Sequence, residues 1–223
     1  MSLSVVCVIP AYNAASTIAD VIAGLRTALG RTAVVGVDDG SLDETGALLR
    51  AHCDHAIAFP GNRGKGAALQ AGFAAALEME CDAVLTIDAD GQHDPRCSPS
   101  LIAALGDADV VVGSRTRAGA MPLRRRITNA LSAAAARRLG GCDVADRQSG
   151  FRAVRASVLR AVRAVGDRYE FETDFLIRAA RAGFRITSVP VPTIYGPPSH
   201  FRELRDGLRV VATFCRHARG AVS

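Results

Sequence analysis

Asp88 and Asp90 stand two residues apart at the end of an apolar run, in Ile87-Asp88-Ala89-Asp90-Gly91-Gln92-His93-Asp94-Pro95. Residues 83–87 suit a buried strand, and strand alternation would bring both carboxylates to one side near its end. Two carboxylates that close repel unless a cation lies between them. A hard divalent ion, Mg²⁺ or Mn²⁺, itself holding phosphates, meets that need. Gly91, Asp94 and Pro95 then break regular structure, so the same residues also suit a polar turn with one Asp capping the next helix.

Three more polar loops follow apolar runs: Pro10-Ala11-Tyr12-Asn13, Asp38-Asp39-Gly40-Ser41 and Gly61-Asn62-Arg63-Gly64-Lys65-Gly66. The last is not a phosphate loop of the Walker type. Phe59 stands where its first Gly would be, and Gly66 replaces the Ser or Thr that would hold magnesium. No loop carries the Gly-x-Gly-x-x-Gly spacing of a dinucleotide site after the first strand.

The elements that must position these loops are short apolar runs at 5–9, 33–37, 57–59, 83–87 and 110–112. They alternate with helical stretches at 16–29, 43–52, 65–79 and 98–105, the second preceded by Ser41 and Glu44 at capping-box spacing. This alternation predicts an α/β fold: a Rossmann-like, mostly parallel central sheet flanked by helices. Ligands of such sheets bind beyond the carboxyl ends of the strands, which gathers all four loops on one edge. The rest of the chain reads as more helical, with helices at 124–139, 157–165, 171–182 and 200–219 and a strand at 185–189.

With 223 residues, 49% of them hydrophobic, the chain can bury one substantial core, and a single domain over 1–223 is expected. It has no apolar run of about 18 residues and no basic segment before its first apolar run, so neither a transmembrane helix nor a signal peptide is expected. Six scattered cysteines without a Cys-x-x-Cys pair fit a reduced, cytoplasmic protein. Charge is segregated: residues 1–112 hold 6 Lys+Arg against 14 Asp+Glu, a net of −8, and residues 113–223 hold 21 against 8, a net of +13. Every basic residue but Lys65 is Arg, whose planar fork suits phosphate. An acidic half that holds a metal and a basic half that meets an anion fit this division. Nucleic acid is not an expected partner, because no aromatic side chains interleave the Arg runs as stacking platforms.

Taken in order, these loops resemble the family 2 glycosyltransferases of the GT-A fold, most of all the branch of dolichyl- and polyprenyl-phosphate sugar synthases. The resemblance also rests on Gly113-Ser114-Arg115, Gln148-Ser149-Gly150-Phe151-Arg152, Tyr169-Glu170-Phe171-Glu172-Thr173-Asp174, Val189-Pro190-Val191 and Ile194-Tyr195, and it runs from Val5 to about Phe201. It implies a metal-dependent, inverting enzyme that moves a hexose from a nucleotide sugar, of GDP-mannose or UDP-glucose type, to a polyprenyl phosphate. Pro10, Tyr12, Asn13, Asp39 and Lys65 would line the donor pocket, and Asp88 would contact its ribose side. Asp90 with Gln92 would hold the metal on the diphosphate. Residues 1–112 would form the donor and metal half, and 113–223 the acceptor half. The family often has Glu after Tyr-Asn; here that residue is Ala14, which keeps a non-catalytic nucleotide-sugar-binding protein as an alternative.

A phosphate acceptor is already ionised and attacks without a base, so it must be held and its charge offset. The cluster Arg115, Arg117, Arg124, Arg125 and Arg126 supplies that kind of site; by the resemblance, Arg125, placed after Met121-Pro122, is the first match to the branch's acceptor-phosphate arginine and Arg115 the second. Family members acting on a soluble hydroxyl would instead need a base, for which Asp174 and Glu172 are the candidates. In the terminal helix, Phe201, Leu204, Leu208, Val211 and Cys215 share one face beside a stripe of Arg202, Arg205, Arg209 and Arg216. That pattern suits peripheral contact with the inner face of a membrane, and equally a helix packed on its own domain.

Overall fold

The structure, a computed structural model, describes residues 3–116, 149–168, 170–192 and 194. Seven strands form one sheet in the order β3-β2-β1-β4-β6-β5-β7. They are β1 (Val5–Ala11), β2 (Ala33–Asp38), β3 (His55–Ala58), β4 (Ala83–Thr86), β5 (Val110–Thr116), β6 (Arg152–Arg155) and β7 (Ile186–Pro192). β6 runs antiparallel to both neighbours, β4 and β5; the other pairings are parallel. The helices are α1 (Ile18–Leu29), α2 (Thr45–His52), α3 (Lys65–Glu78), α4 (Ser98–Ala103), α5 (Ala156–Ala161) and α6 (Glu170–Arg181).

Period-two alternation divides the core between the two faces of the sheet. Cys7, Ile9, Leu85 and Ile87 pack with Ile18, Val21, Ile22 and Leu25, the buried stripe of α1 at helical spacing. Val6, Val8, Val35, Val37 and Val84 pack on the other face with Ala68, Leu69 and Ala76 of α3 and with Phe171 of α6. α3 buries small residues, and this lets it lie close to the sheet. A Cβ on Gly72 would stand 2.3 Å from Val8 Cγ1.

Several expected boundaries shift. The helix expected at 157–165 is the shorter Ala156–Ala161, and the strand expected at 185–189 runs on to Pro192 along all of β5. Ser41 and Glu44 do not form a capping box: at the start of α2 the Thr45 N–H donates to Asp43 Oδ1 at 3.0 Å, Glu44 makes no side-chain cap bond, and Ser41 Oγ accepts from the backbone N–H of Asn13 instead. Residues 117–148 and 195–223, with the Arg cluster beyond Thr116, the helix expected at 124–139 and the terminal helix, lie outside the described residues.

Candidate active site

The strand order reverses between β1 and β4, and a crevice opens at such a switch point beyond the carboxyl ends. β1 stays paired with β2 as far as Ala11 and Asp38, but its pairing with β4 stops at Val8 and Thr86. Pro10 follows that stop. Having no N–H, it suits the place where the ladder to β4 ends.

The loop after β1 and the loop after β2 are bound to each other. Asn13, in the left-handed region at φ 49°, donates its N–H to Ser41 Oγ at 2.9 Å, and its Oδ1 accepts from Leu42 N at 2.9 Å. Ala14 N–H donates to Thr45 Oγ1 at 2.7 Å, and the Ala14 methyl is buried in the core. Its side chain therefore serves the fold at the position where the resemblance leads one to expect Glu. Asp38 Oδ1 accepts from Ser41 N at 2.9 Å.

Asp39 is the anchor of the third loop. Its carboxylate accepts the backbone N–H of Arg63 at 2.7 Å and that of Gly64 at 2.9 Å. Burial pushes its pKa up; these two N–H bonds and the positive charge of Arg168 oppose that shift. Gly64 has φ 103°, and a Cβ there would meet Asp167 O at 2.3 Å and Arg168 Cγ at 2.7 Å. Arg168 thus lies over the loop that leads into α3, a neighbour not anticipated from its place in the sequence. Asp39→Ala leaves two loop N–H groups without their acceptor, a cost of about 1–3 kcal/mol each where the groups stay dry. Urea unfolding should show that loss, and titration with UDP or GDP should show weaker binding. Unchanged nucleotide affinity would detach Asp39 from the donor pocket.

Strand β4 ends before the acidic pair, so Asp88 and Asp90 are placed by a turn rather than by strand alternation. Thr17 Oγ1 donates to Ala89 O at 2.6 Å and fixes that turn to the start of α1. Asp88 Oδ1 lies 2.6 Å from Lys65 Nζ at the first turn of α3. The cation beside Asp88 is therefore supplied by the chain itself. Asp90 Oδ1 accepts from Gln92 N at 3.0 Å, and Gln92 O accepts from Ile194 N at 3.0 Å. Asp94 is turned toward Arg96, whose hydrogen bonds hold its carboxyl below the usual range, and it caps the turn Pro95–Cys97. The reading of this segment as a polar turn with a capping Asp is borne out, and Asp94 is the capping residue.

Among the described residues no three His, Cys, Asp or Glu side chains come together as a metal cage. A carboxylate and an amide at Asp90 and Gln92 are hard oxygen donors. They fit a small divalent cation that takes its remaining ligands from phosphate and water.

Lys65 Nζ also reaches Glu172 Oε1 at 3.2 Å, and Glu172 is buried beside Arg152. Asp174, two residues on, is buried elsewhere: its Oδ2 accepts from Val165 N at 2.7 Å and from Arg178 Nε at 2.6 Å. The structure brings Lys65, Asp88 and Glu172 together and gives Asp174 to the loop before α6. Arg115 is in β5 opposite Val191 of β7, its side chain outside the description, and Arg125 lies outside the described residues. Tyr12 is half-buried in the loop after β1.

A mostly parallel sheet with an acidic turn at its switch point is the architecture of the GT-A nucleotide-sugar enzymes. Residues 6–163 match Glycosyl transferase family 2, and the chain belongs to that family. It is 35% identical over 201 residues to undecaprenyl-phosphate mannosyltransferase of Micrococcus luteus, covering 85% of this chain and 83% of that protein. Polyprenol monophosphomannose synthase of Mycolicibacterium smegmatis is 32% identical over 201 residues, covering 82% of this chain and 75% of the relative. Among solved structures, glucosyl-3-phosphoglycerate synthase from Mycobacterium tuberculosis, in complex with Mn²⁺, uridine diphosphate and glucosyl-3-phosphoglycerate, aligns with a TM-score of 0.77 at 25% identity. The alignment covers 96% of this chain and 80% of that one. The protein is a nucleotide-sugar-dependent glycosyltransferase.

Proposed function

We propose that this enzyme transfers a hexose, with inversion, from a GDP-mannose or UDP-glucose type donor to a polyprenyl phosphate. The observation that carries the reading is the state of the two candidate bases. Asp174 is occupied by Val165 N and Arg178, and Glu172 is shared between Lys65 and Arg152. A phosphate oxygen is ionised near neutral pH and attacks the sugar carbon without a base, whereas a hydroxyl needs one. The names of the relatives in Micrococcus and Mycolicibacterium support the same acceptor class.

In this reading the loops after β1 and β2 hold the nucleoside, and Asp88, paired with Lys65, faces its ribose. Asp90 and Gln92 hold Mg²⁺ or Mn²⁺ on the diphosphate; when bound, that ion supplies Lewis-acid stabilisation of the leaving group. Arg115 and Arg125 offset the charge of the acceptor phosphate and hold it in line. Residues 1–112 serve the donor and 113–223 the acceptor. The basic second half brings the enzyme to an anionic bilayer where such an acceptor resides.

The test is a donor panel with Mg²⁺ and Mn²⁺, read as nucleoside diphosphate release with and without polyprenyl phosphate. Release that rises only with the lipid supports the proposal. In Arg125→Ala, transfer should fall about 10–100-fold with donor affinity kept, the loss of one charge-assisted phosphate contact. A drop in donor affinity with unchanged acceptor kinetics would move Arg125 to the diphosphate. A second reading, transfer to a hydroxyl of a phosphorylated small molecule, draws on the solved neighbour's glucosyl-3-phosphoglycerate complex. Release driven by 3-phosphoglycerate and indifferent to lipid would select it.

A further inference from the structure

Four charged side chains from four elements alternate in sign across the floor of the crevice. Asp88 follows β4, Lys65 opens α3, Glu172 is on α6, and Arg152 opens β6. Lys65 Nζ stands between two carboxylates, 2.6 Å from Asp88 Oδ1 and 3.2 Å from Glu172 Oε1. Arg152 lies 3.8 Å beyond Glu172 Oε1, donates to the Glu172 carbonyl at 3.1 Å, and donates from Nε to Ser149 O at 2.8 Å. Exposure falls from 21% at the Asp88 side chain to 15% at Lys65 and 3% at Glu172, so the chain of charges runs from the crevice into the core. The stacked rings of Phe171 and Phe175 lie with Phe73, Arg152 and Glu172 around a single cavity.

A Lys ammonium is a compact charge on a flexible four-carbon stem and does not hold one direction by itself. Of its two carboxylate partners Asp88 is the nearer but the more exposed, 21% against 3% for Glu172. Glu172, buried and backed by Arg152, is the rigid member of the set. We propose that Glu172 is a positioning residue for the donor site: it fixes the Lys65 ammonium, and through Lys65 it holds the Asp88 carboxylate in the orientation that receives the nucleotide. The inference rests on the proposed donor role of Asp88, and it assigns Glu172 no proton transfer.

The experiment compares Glu172→Gln, Lys65→Met and the double variant in the full chain, by titration with UDP and GDP in Mn²⁺ and by steady-state kinetics. Glu172→Gln removes one negative charge near an anion site, so the charge change alone would tighten nucleotide binding. Loss of positioning works the other way: nucleotide affinity and donor KM should each worsen roughly tenfold, with kcat at saturating donor held within about twofold. The double variant should bind nucleotide no worse than Lys65→Met, because Glu172 acts through Lys65. Unchanged or tighter binding overturns the proposal, as does additivity of the two substitutions. A fall confined to kcat overturns it too, in favour of a base.

If Glu172→Gln fails to fold, Glu172→Met with Arg152→Met removes both buried charges together, a replacement that cores often tolerate. Nucleotide affinity must still fall in that pair, and retention of full affinity would overturn the role. Nucleotide titration needs no acceptor, so these outcomes stand whether or not polyprenyl phosphate is the acceptor.

Discussion

Asp90→Asn should abolish metal-dependent sugar transfer and leave the fold intact. Asp90 Oδ1 accepts the Gln92 N–H, and an Asn side chain keeps that acceptor, so the turn can persist. What the substitution removes is the negative charge at the one carboxylate proposed to hold the divalent ion. Lewis-acid stabilisation of a leaving diphosphate is worth several kcal/mol, so a rate loss of about 10³-fold or more is expected. The stability effect is small. Asp88 and Asp94, the acidic neighbours in the same short segment, are already paired with Lys65 and Arg96, so neutralising Asp90 relieves only residual repulsion in the metal-free protein. Thermal unfolding without metal should show a melting temperature equal to or above that of the parent chain. Added Mn²⁺ should then raise the parent's melting temperature more than the variant's. Turnover in saturating Mn²⁺ equal to that of the parent would remove Asp90 from the metal site.

Much of the sheet was legible because its signals are local. Val6 and Val8 alternate with Cys7 and Ile9, and each pair goes to its own face. The four polar loops follow four strands, and the parallel pairing of β1, β2, β3 and β4 puts their carboxyl ends together. β6 was not legible. Arg152-Ala-Val-Arg155 is four residues long with a charge at each end, and it becomes a strand because it slots antiparallel between β4 and β5. That pairing is non-local, and no window of sequence contains it.

The carboxylates of α6 show a finer limit. Glu172 and Asp174 are two residues apart, about 200° around a helix, so at most one faces the site. Sequence spacing separates the two faces but does not say which meets Lys65. The answer depends on how α6 rotates against α3, a non-local matter; the two approach closely at Gly66, where a Cβ would stand 2.7 Å from Phe171 Cβ. Ser41 is a case of competing partners. Its spacing to Glu44 suits a cap, yet Asn13, from the neighbouring strand's loop, takes its hydroxyl.

Gly150→Ala should be the second large loss, and it tests the same turn from across the crevice. Gly150 precedes β6, and its carbonyl accepts from Thr86 Oγ1 at 2.7 Å, which binds it to the end of β4. A Cβ at Gly150 would stand 2.2 Å from Asp88 Oδ1 and 2.5 Å from Asp88 Cγ. Real contacts are never that short, so one of the two must move. The backbone of Gly150 is held by Thr86, whereas Asp88 is a side chain with two rotatable bonds, so the carboxylate yields. It is then driven off Lys65, and Lys65 keeps only Glu172 among these partners. Stability should fall by no more than about 1–3 kcal/mol, the usual cost of a small overpacking. Activity should fall on the order of 10²-fold, because a misplacement near 1 Å at the carboxylate proposed to bind nucleotide has that scale. The variant should unfold cooperatively in urea, with donor KM raised and kcat lowered together. If its kinetics match the parent chain, Asp88 is not placed by this contact. Asp88→Ala in the Gly150→Ala background gives the complementary reading. With the carboxylate gone the added methyl has nothing to strike, so the double variant should be no less active than Asp88→Ala alone. A further drop would show that Gly150 acts on the site by a route other than Asp88.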